Sequence, residues 1–234
     1  WIEASEYRDK VKAAEDGQGE MPTRDLRLET LMGVLEGEIL VHNHCYRGDE
    51  MSIMLEIAEE FGYKVGTFHH AVEAYKIGDL LAEADTCAAM WADWWGFKME
   101  AYDGIRENIA LVDKAGACAI VHSDSDTGIQ RLNQEAAKVI GAAARAGMEI
   151  APEQAIRWLT SNAAKSLGVL DQTGTLETGK MADVVIWDGD PFSIYTRAER
   201  VYVDGALAYE LGNDELNPVT DFTLGTAAAA GGAR

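Results

Sequence analysis

The 234-residue sequence has no run of 18 or more apolar residues, which removes a membrane-spanning helix from consideration. It also lacks basic charge. Twenty Lys and Arg stand against 40 Asp and Glu, and the net charge of −20 argues against nucleic acid and anionic membrane surfaces as partners. Cysteine is scarce: three residues without a CxxC spacing give neither a zinc-finger pattern nor a disulfide framework. Cys45, Cys87 and Cys118 are therefore expected to behave as small buried hydrophobes. There is no signal-peptide pattern, and because the chain begins at Trp1 this leaves the compartment open. Residues 1–14 already read as the middle of an amphipathic helix, so the expectation is the C-terminal part of a longer protein, or one chain of a processed pair. Nothing before Ile39 is a histidine.

Against these absences stands a repeated ending. Ile39-Leu40-Val41-His42-Asn43-His44 reads as a buried strand that finishes in two histidines spaced i, i+2, which a strand sends to one face. Two later apolar runs end alike, Lys64 to His69-His70 and Cys118 to His122-Ser123-Asp124. A β-run that ends in same-face histidines is how α/β enzymes place metal ligands at the C-terminal rim of a sheet. The spacing predicts strands near residues 39–42, 63–68, 86–91 and 118–121. Helices are expected at 50–61 with a stop at Gly62, near 74–84, at 102–115 and at 133–146. Four β-then-α units at the period of right-handed crossovers give a parallel sheet wrapped by helices, half of an eight-fold barrel. Helices at 1–14 and 24–35 form a lead-in.

After Gly147 the pattern changes. Pro152 opens one helix and Gly168 closes another. From Gly174 the periodicity becomes two, and Arg200 to Tyr209 reads as a hairpin with Asp204-Gly205 at its turn. The expected organisation is a helical lead-in at 1–38, a half-barrel at 39–172, a β-sandwich portion at 173–210 and a flexible tail at 211–234.

Val41-His42-Asn43-His44, Phe68-His69-His70 and His122-Ser123-Asp124-Ser125-Asp126 together resemble the late metal-binding strands of the amidohydrolase superfamily, closest to its imidazolonepropionase-related branch. The stretch Ser161 to Gly168, followed by Gly179-Lys180-Met181-Ala182-Asp183, strengthens the resemblance, which covers about residues 24–210. It implies the C-terminal half, strands 5 to 8, of a (β/α)8 barrel plus part of a small β-sandwich. It further implies a divalent metal, zinc first, as one or two ions, and hydrolysis of a C–N bond by metal-activated water. On that pattern His42 matches the strand-5 ligand, His70 (or its alternative His69) the strand-6 ligand, and Asp124 the strand-8 carboxylate and general acid/base. The His-x-His pair of strand 1 and the bridging Lys or Glu have no counterpart. A second chain or a missing N-terminal half carrying strands 1–4 is therefore the expected partner, in an oligomeric assembly acting on a small-molecule substrate.

The remaining candidates surround these ligands. His44 shares a face with His42 and is expected just beyond the strand end, orienting the attacking water or polarising the carbonyl. His69 and His70 are neighbours, so at most one should face the barrel axis. His122 is expected in the substrate pocket beside Tyr46, while Arg47 either holds a substrate carboxylate or forms a helix-entry ion pair. Trp91, Trp94 and Trp95 are expected to pack a rim loop. Other functions considered are a non-catalytic subunit completing a partner's barrel, a lactonase, and a deaminase of the same superfamily. The last would require an acidic residue where His44 stands.

Overall fold

The computed structural model describes residues 1–94 and 96–216. The expected flexible tail from 217 onward and Trp95 lie outside the described residues. The chain forms two compact units, one running from Trp1 to Lys180 and the other beginning at Met181.

In the first unit, α1 (Ile2–Glu15) packs on α2 (Leu26–Leu35). Asp25 caps α2 by accepting from the backbone N–H groups of Arg27 and Leu28, so two otherwise orphaned donors are satisfied. There follow β1 (Val41–Cys45), α3 (Gly48–Phe61), β2 (Val65–His70), α4 (Gly78–Glu83) and β3 (Cys87–Met90). After them come α5 (Asn108–Lys114), β4 (Cys118–Val121) and α6 (Leu132–Arg145). Gly62 ends α3 at φ 74°, where a side chain would be strained. The four strands form one parallel sheet in the order β1-β2-β3-β4. Each β-to-β crossover carries helix, as parallel pairing requires.

Register assigns the faces. His42 and His44 pair with Thr67 and His69, these with Cys87 and Ala89, and these with Cys118 and Ile120. One face of the sheet therefore carries the histidines. The opposite face carries Phe68, Ala88, Met90, Ala119 and Val121, all buried, with α3, α5 and α6 against the strands. Full burial of residues such as Phe68 and Met90 contributes roughly 1.5–3 kcal/mol each. Two short helices, α7 (Pro152–Arg157) and α8 (Ser161–Ser166), complete the unit. From α8, Ala163 packs on the cluster of Cys87, Ala89, Cys118 and Ile120, and Asn162 Nδ2 donates to Ala119 O at 2.8 Å.

Two expectations fail here. His44 lies inside β1, not beyond its end, because the strand begins two residues later than the apolar run suggested and continues to Cys45. The cysteines also do not all behave as hydrophobes. Cys87 and Cys118 are register partners on adjacent strands with Cα atoms 4.4 Å apart, and they form a disulfide. That proximity depends on a crossover of 31 residues, which no local spacing rule reports. Cys45 alone is free and buried, and burial pushes its thiol up to about 11.

The second unit is a three-stranded antiparallel sheet in the order β5 (Val184–Trp187), β6 (Ala198–Val203) and β7 (Ala206–Glu210). Its hairpin turns at Asp204 (φ 48°) and Gly205 (φ 79°), the positive-φ pair that matches the twist of the flanking strands. No described residue of this unit is buried. Among the described residues, no helix is long and apolar enough to cross a membrane.

Candidate active site

All five histidines of the chain come together at the C-terminal ends of β1, β2 and β4. They form two nitrogen pairs. His42 Nδ1 meets His69 Nε2 at 2.9 Å, and His44 Nδ1 meets His70 Nε2 at 2.8 Å. The first pair is anchored from behind, since His42 Nε2 is 3.0 Å from the carbonyl oxygen of Ser166 and donates to it. Ser166 also bonds Thr67 through its hydroxyl at 2.6 Å, so α8 orients the first pair. In the second pair His44 is exposed and His70 is buried.

That both His69 and His70 turn to the cluster departs from simple strand alternation. His70 has φ 70° and Ala71 φ 39°, so the chain leaves the pleat at His70 and swings its ring back over the same face. Such backbone costs about 1–3 kcal/mol and needs outside support. Asn108 supplies it. Its side chain is buried, donates to Ala71 O at 2.9 Å and Val72 O at 3.1 Å, and accepts from Tyr75 N at 2.8 Å. Trp91 flanks the ring from the other side, stacked on His70 at 4.5 Å and on His122 at 5.3 Å, with its indole N–H on Ser123 O at 3.1 Å.

Asp124 follows β4 as an exposed residue at φ 53°. The neighbouring turn bonds are made by other groups, Ser123 and Ser125 among them, with Asp126 accepting from Thr127 N. Asp124's negative charge reaches His69 and His70, and in both it opposes a larger fall caused by burial and the neighbouring imidazoles. His69 is lowered to about 4, by burial first and then by His42, His44 and His70. His122 is lowered to about 3, by burial first and then by His70, His69 and His44. These imidazoles are thus neutral at ordinary pH, the form in which a ring nitrogen can ligate a cation.

Tyr46 stacks on His70 at 4.9 Å. Arg47 is engaged elsewhere, with Asp49 at 2.9 and 2.7 Å, which is the ion-pair reading of that residue. Trp94 stacks on Trp91 at 5.4 Å and packs the rim. Asn108 and Ser166 were not legible as site residues. Their positions follow from tertiary contacts far apart in sequence.

Among the described residues, no group of three or more His, Cys, Asp or Glu side chains is placed so that it could hold a metal ion. The donor chemistry nonetheless suits an imidazole-bound divalent ion. There are two opposed nitrogen pairs, one ring backed by a carbonyl acceptor, and a buried His70 Nδ1 without a hydrogen-bond partner.

A family model described as the amidohydrolase family matches residues 103–222. A solved amidohydrolase from Thermotoga maritima MSB8 is 31% identical with a TM-score of 0.77, over 89% of this chain and 53% of that one. Amidohydrolase tasK of Hapsidospora irregularis is 28% identical over 85% of this chain and 20% of its own length. An imidazolonepropionase from Mesorhizobium japonicum is 37% identical over 44% of this chain and 24% of its own. The chain thus spans about half of that solved structure and about a fifth to a quarter of these two relatives.

Proposed function

Because the chain belongs to the amidohydrolase family, we propose that it is the metal-carrying second half of a (β/α)8 hydrolase acting on an amide-like C–N bond. The observation that carries the proposal is the meeting of His44 Nδ1 and His70 Nε2 at 2.8 Å, on adjacent strand ends within reach of Asp124's charge. His44 and His70 would hold the ion with Asp124. This geometry supports His44 over His42, whose two ring nitrogens face His69 and the Ser166 carbonyl. His42 and His69 then form the wall beneath the site. The further ligands of a complete cage would come from strands 1 to 4. That half would also cover β1, beside which Ile39 and Leu40 are exposed along an open cavity of about 230 Å³. The three-stranded unit, none of whose described residues is buried, would complete a β-sandwich in the same way.

A divalent ion bound there supplies Lewis-acid polarisation of the amide carbonyl and an acidified water. This chain's own groups do the rest. Asp124, exposed at the rim, takes a proton from the attacking water and returns it to the leaving nitrogen. Trp91 keeps the Asp124 turn in place through Ser123 O. The test is zinc content and amide hydrolysis of the intact protein beside its His44→Ala and His42→Ala variants. The proposal expects His44→Ala to lose both and His42→Ala to keep measurable zinc. The reverse pattern would return the ligand role to His42, and zinc-independent activity would end the proposal.

A further inference from the structure

We infer that Lys98, held over the ring of Tyr46, anchors an anionic group of the substrate. The substrate class is therefore a carboxylate-bearing amide whose apolar part lies on the exposed rings of Trp94 and Phe97. The inference rests on the hydrolase reading and names its substrate class. A chain with 40 acidic and 20 basic residues repels an anion unless a local cation is free to receive it. Around the histidines most cations are committed. Arg47 is paired with Asp49, Lys76 with Asp103 at 2.8 Å and Glu73 at 3.2 Å, and Lys138 with Glu135 at 2.8 Å and Asp93 at 3.2 Å.

Lys98 differs from these. Its ammonium sits 3.8 Å from the Tyr46 ring centroid and 5.7 Å from that of Phe97, hydrogen-bonds Tyr46 and feels the charge of Glu100, but makes no salt bridge with a carboxylate among the described residues. A cation–π contact of this kind is worth about 0.5–1 kcal/mol at an exposed site. That is enough to bias a flexible side chain without neutralising it. Tyr46 is itself stacked on His70, so the free charge stands one ring away from the His44–His70 pair. Beside it runs an aromatic wall with surface open to solvent. Trp91 and Trp94 are stacked at 22°, Phe97 lies edge-on to Trp91 at 77°, and Trp94 and Phe97 are 42% and 56% exposed. A cation next to an open aromatic stack suits a ligand with a carboxylate beside an apolar group.

The test titrates the intact protein, assembled with the rest of its barrel, with N-acetylphenylalanine and with its uncharged amide, following tryptophan fluorescence. The acid should bind about tenfold more tightly than the amide, a difference that hydrogen bonding to a charged group readily supplies. Lys98→Met should erase the preference and Lys98→Arg restore it. Lys114→Met, on the outer helix α5, serves as the control that keeps it. Equal binding of the two probes, no binding of either, or a preference that survives Lys98→Met would overturn the inference. If the preference is present but the zinc-loaded protein hydrolyses no amide, the anion anchor stands and the hydrolase reading falls.

Discussion

One sheet contains two kinds of strand pair. On the histidine face, β1 and β2 present His42, His44, Thr67 and His69, while β3 and β4 present Cys87, Ala89, Cys118 and Ile120 at the same levels. The first pair meets polar partners, and His44 is exposed. The second pair is buried throughout, crossed by a disulfide and packed against Ala163. Backbone pairing is alike in the two halves, so the difference lies in the side chains and in what covers them. The proposed chemistry lies where the face is left open, while α8 and the disulfide close the other half. Asp124 joins the two, because it follows a buried strand and its charge reaches His69 and His70 of the other half.

The sharpest way to break this division is to alter chemistry without altering the fold. Asp124→Asn should lower turnover by ~10²–10⁴-fold, the usual size for a general acid–base group, while the melting temperature stays near wild type. Unchanged turnover would remove Asp124 from catalysis. Loss of the fold would place it with the buried half instead.

The converse changes belong to β3 and β4. Ile120→Ala removes a side chain that is 6% exposed and should cost about 3 kcal/mol in denaturant unfolding, with zinc affinity little changed in the folded fraction. Reducing or deleting the Cys87–Cys118 bond should cost about 2–4 kcal/mol through chain entropy and leave the histidine pairs intact. Intact mass and thiol counting give the direct check, because the native chain should show one titratable thiol, Cys45. Three free thiols would remove the covalent tie from the account.

The smallest expected effect concerns the N-terminal end of the sheet. Asp85 accepts from Lys165 and from Lys64, and these two cations hold its carboxyl below the usual carboxylate range, Lys165 the more strongly. A lowered acid pKa stabilises the fold above the unfolded value near 4, and that contribution is lost as pH falls through the folded value. The groups are largely exposed, so Asp85→Asn should cost no more than about 1 kcal/mol at neutral pH and nothing in strong acid. A larger effect at low pH than at pH 7 would contradict the assigned sign.

The architecture was legible because it is periodic. Strand β4 fell where the apolar run placed it, Gly62 stopped α3, and Asp204-Gly205 turned the hairpin. The histidine cluster was legible as a set, since apolar strands ending in His mark one rim. Its pairing was not. Which nitrogen meets which depends on the positive φ at His70, and that depends on Asn108 arriving from another helix. The disulfide was hidden for a similar reason, since adjacency of Cys87 and Cys118 is a property of sheet register. Lys98 was hidden because a cation over a ring leaves no spacing signature.

The central claim is that the β1–β2 half of the sheet holds the ion, and X-ray absorption on the zinc-loaded intact protein tests it most directly. The account predicts imidazole nitrogens at about 2.0–2.1 Å. That signal should be lost together with bound zinc in His44→Ala and in His70→Ala, and kept in Ile120→Ala. Full zinc with an unchanged nitrogen shell in both histidine variants would contradict it.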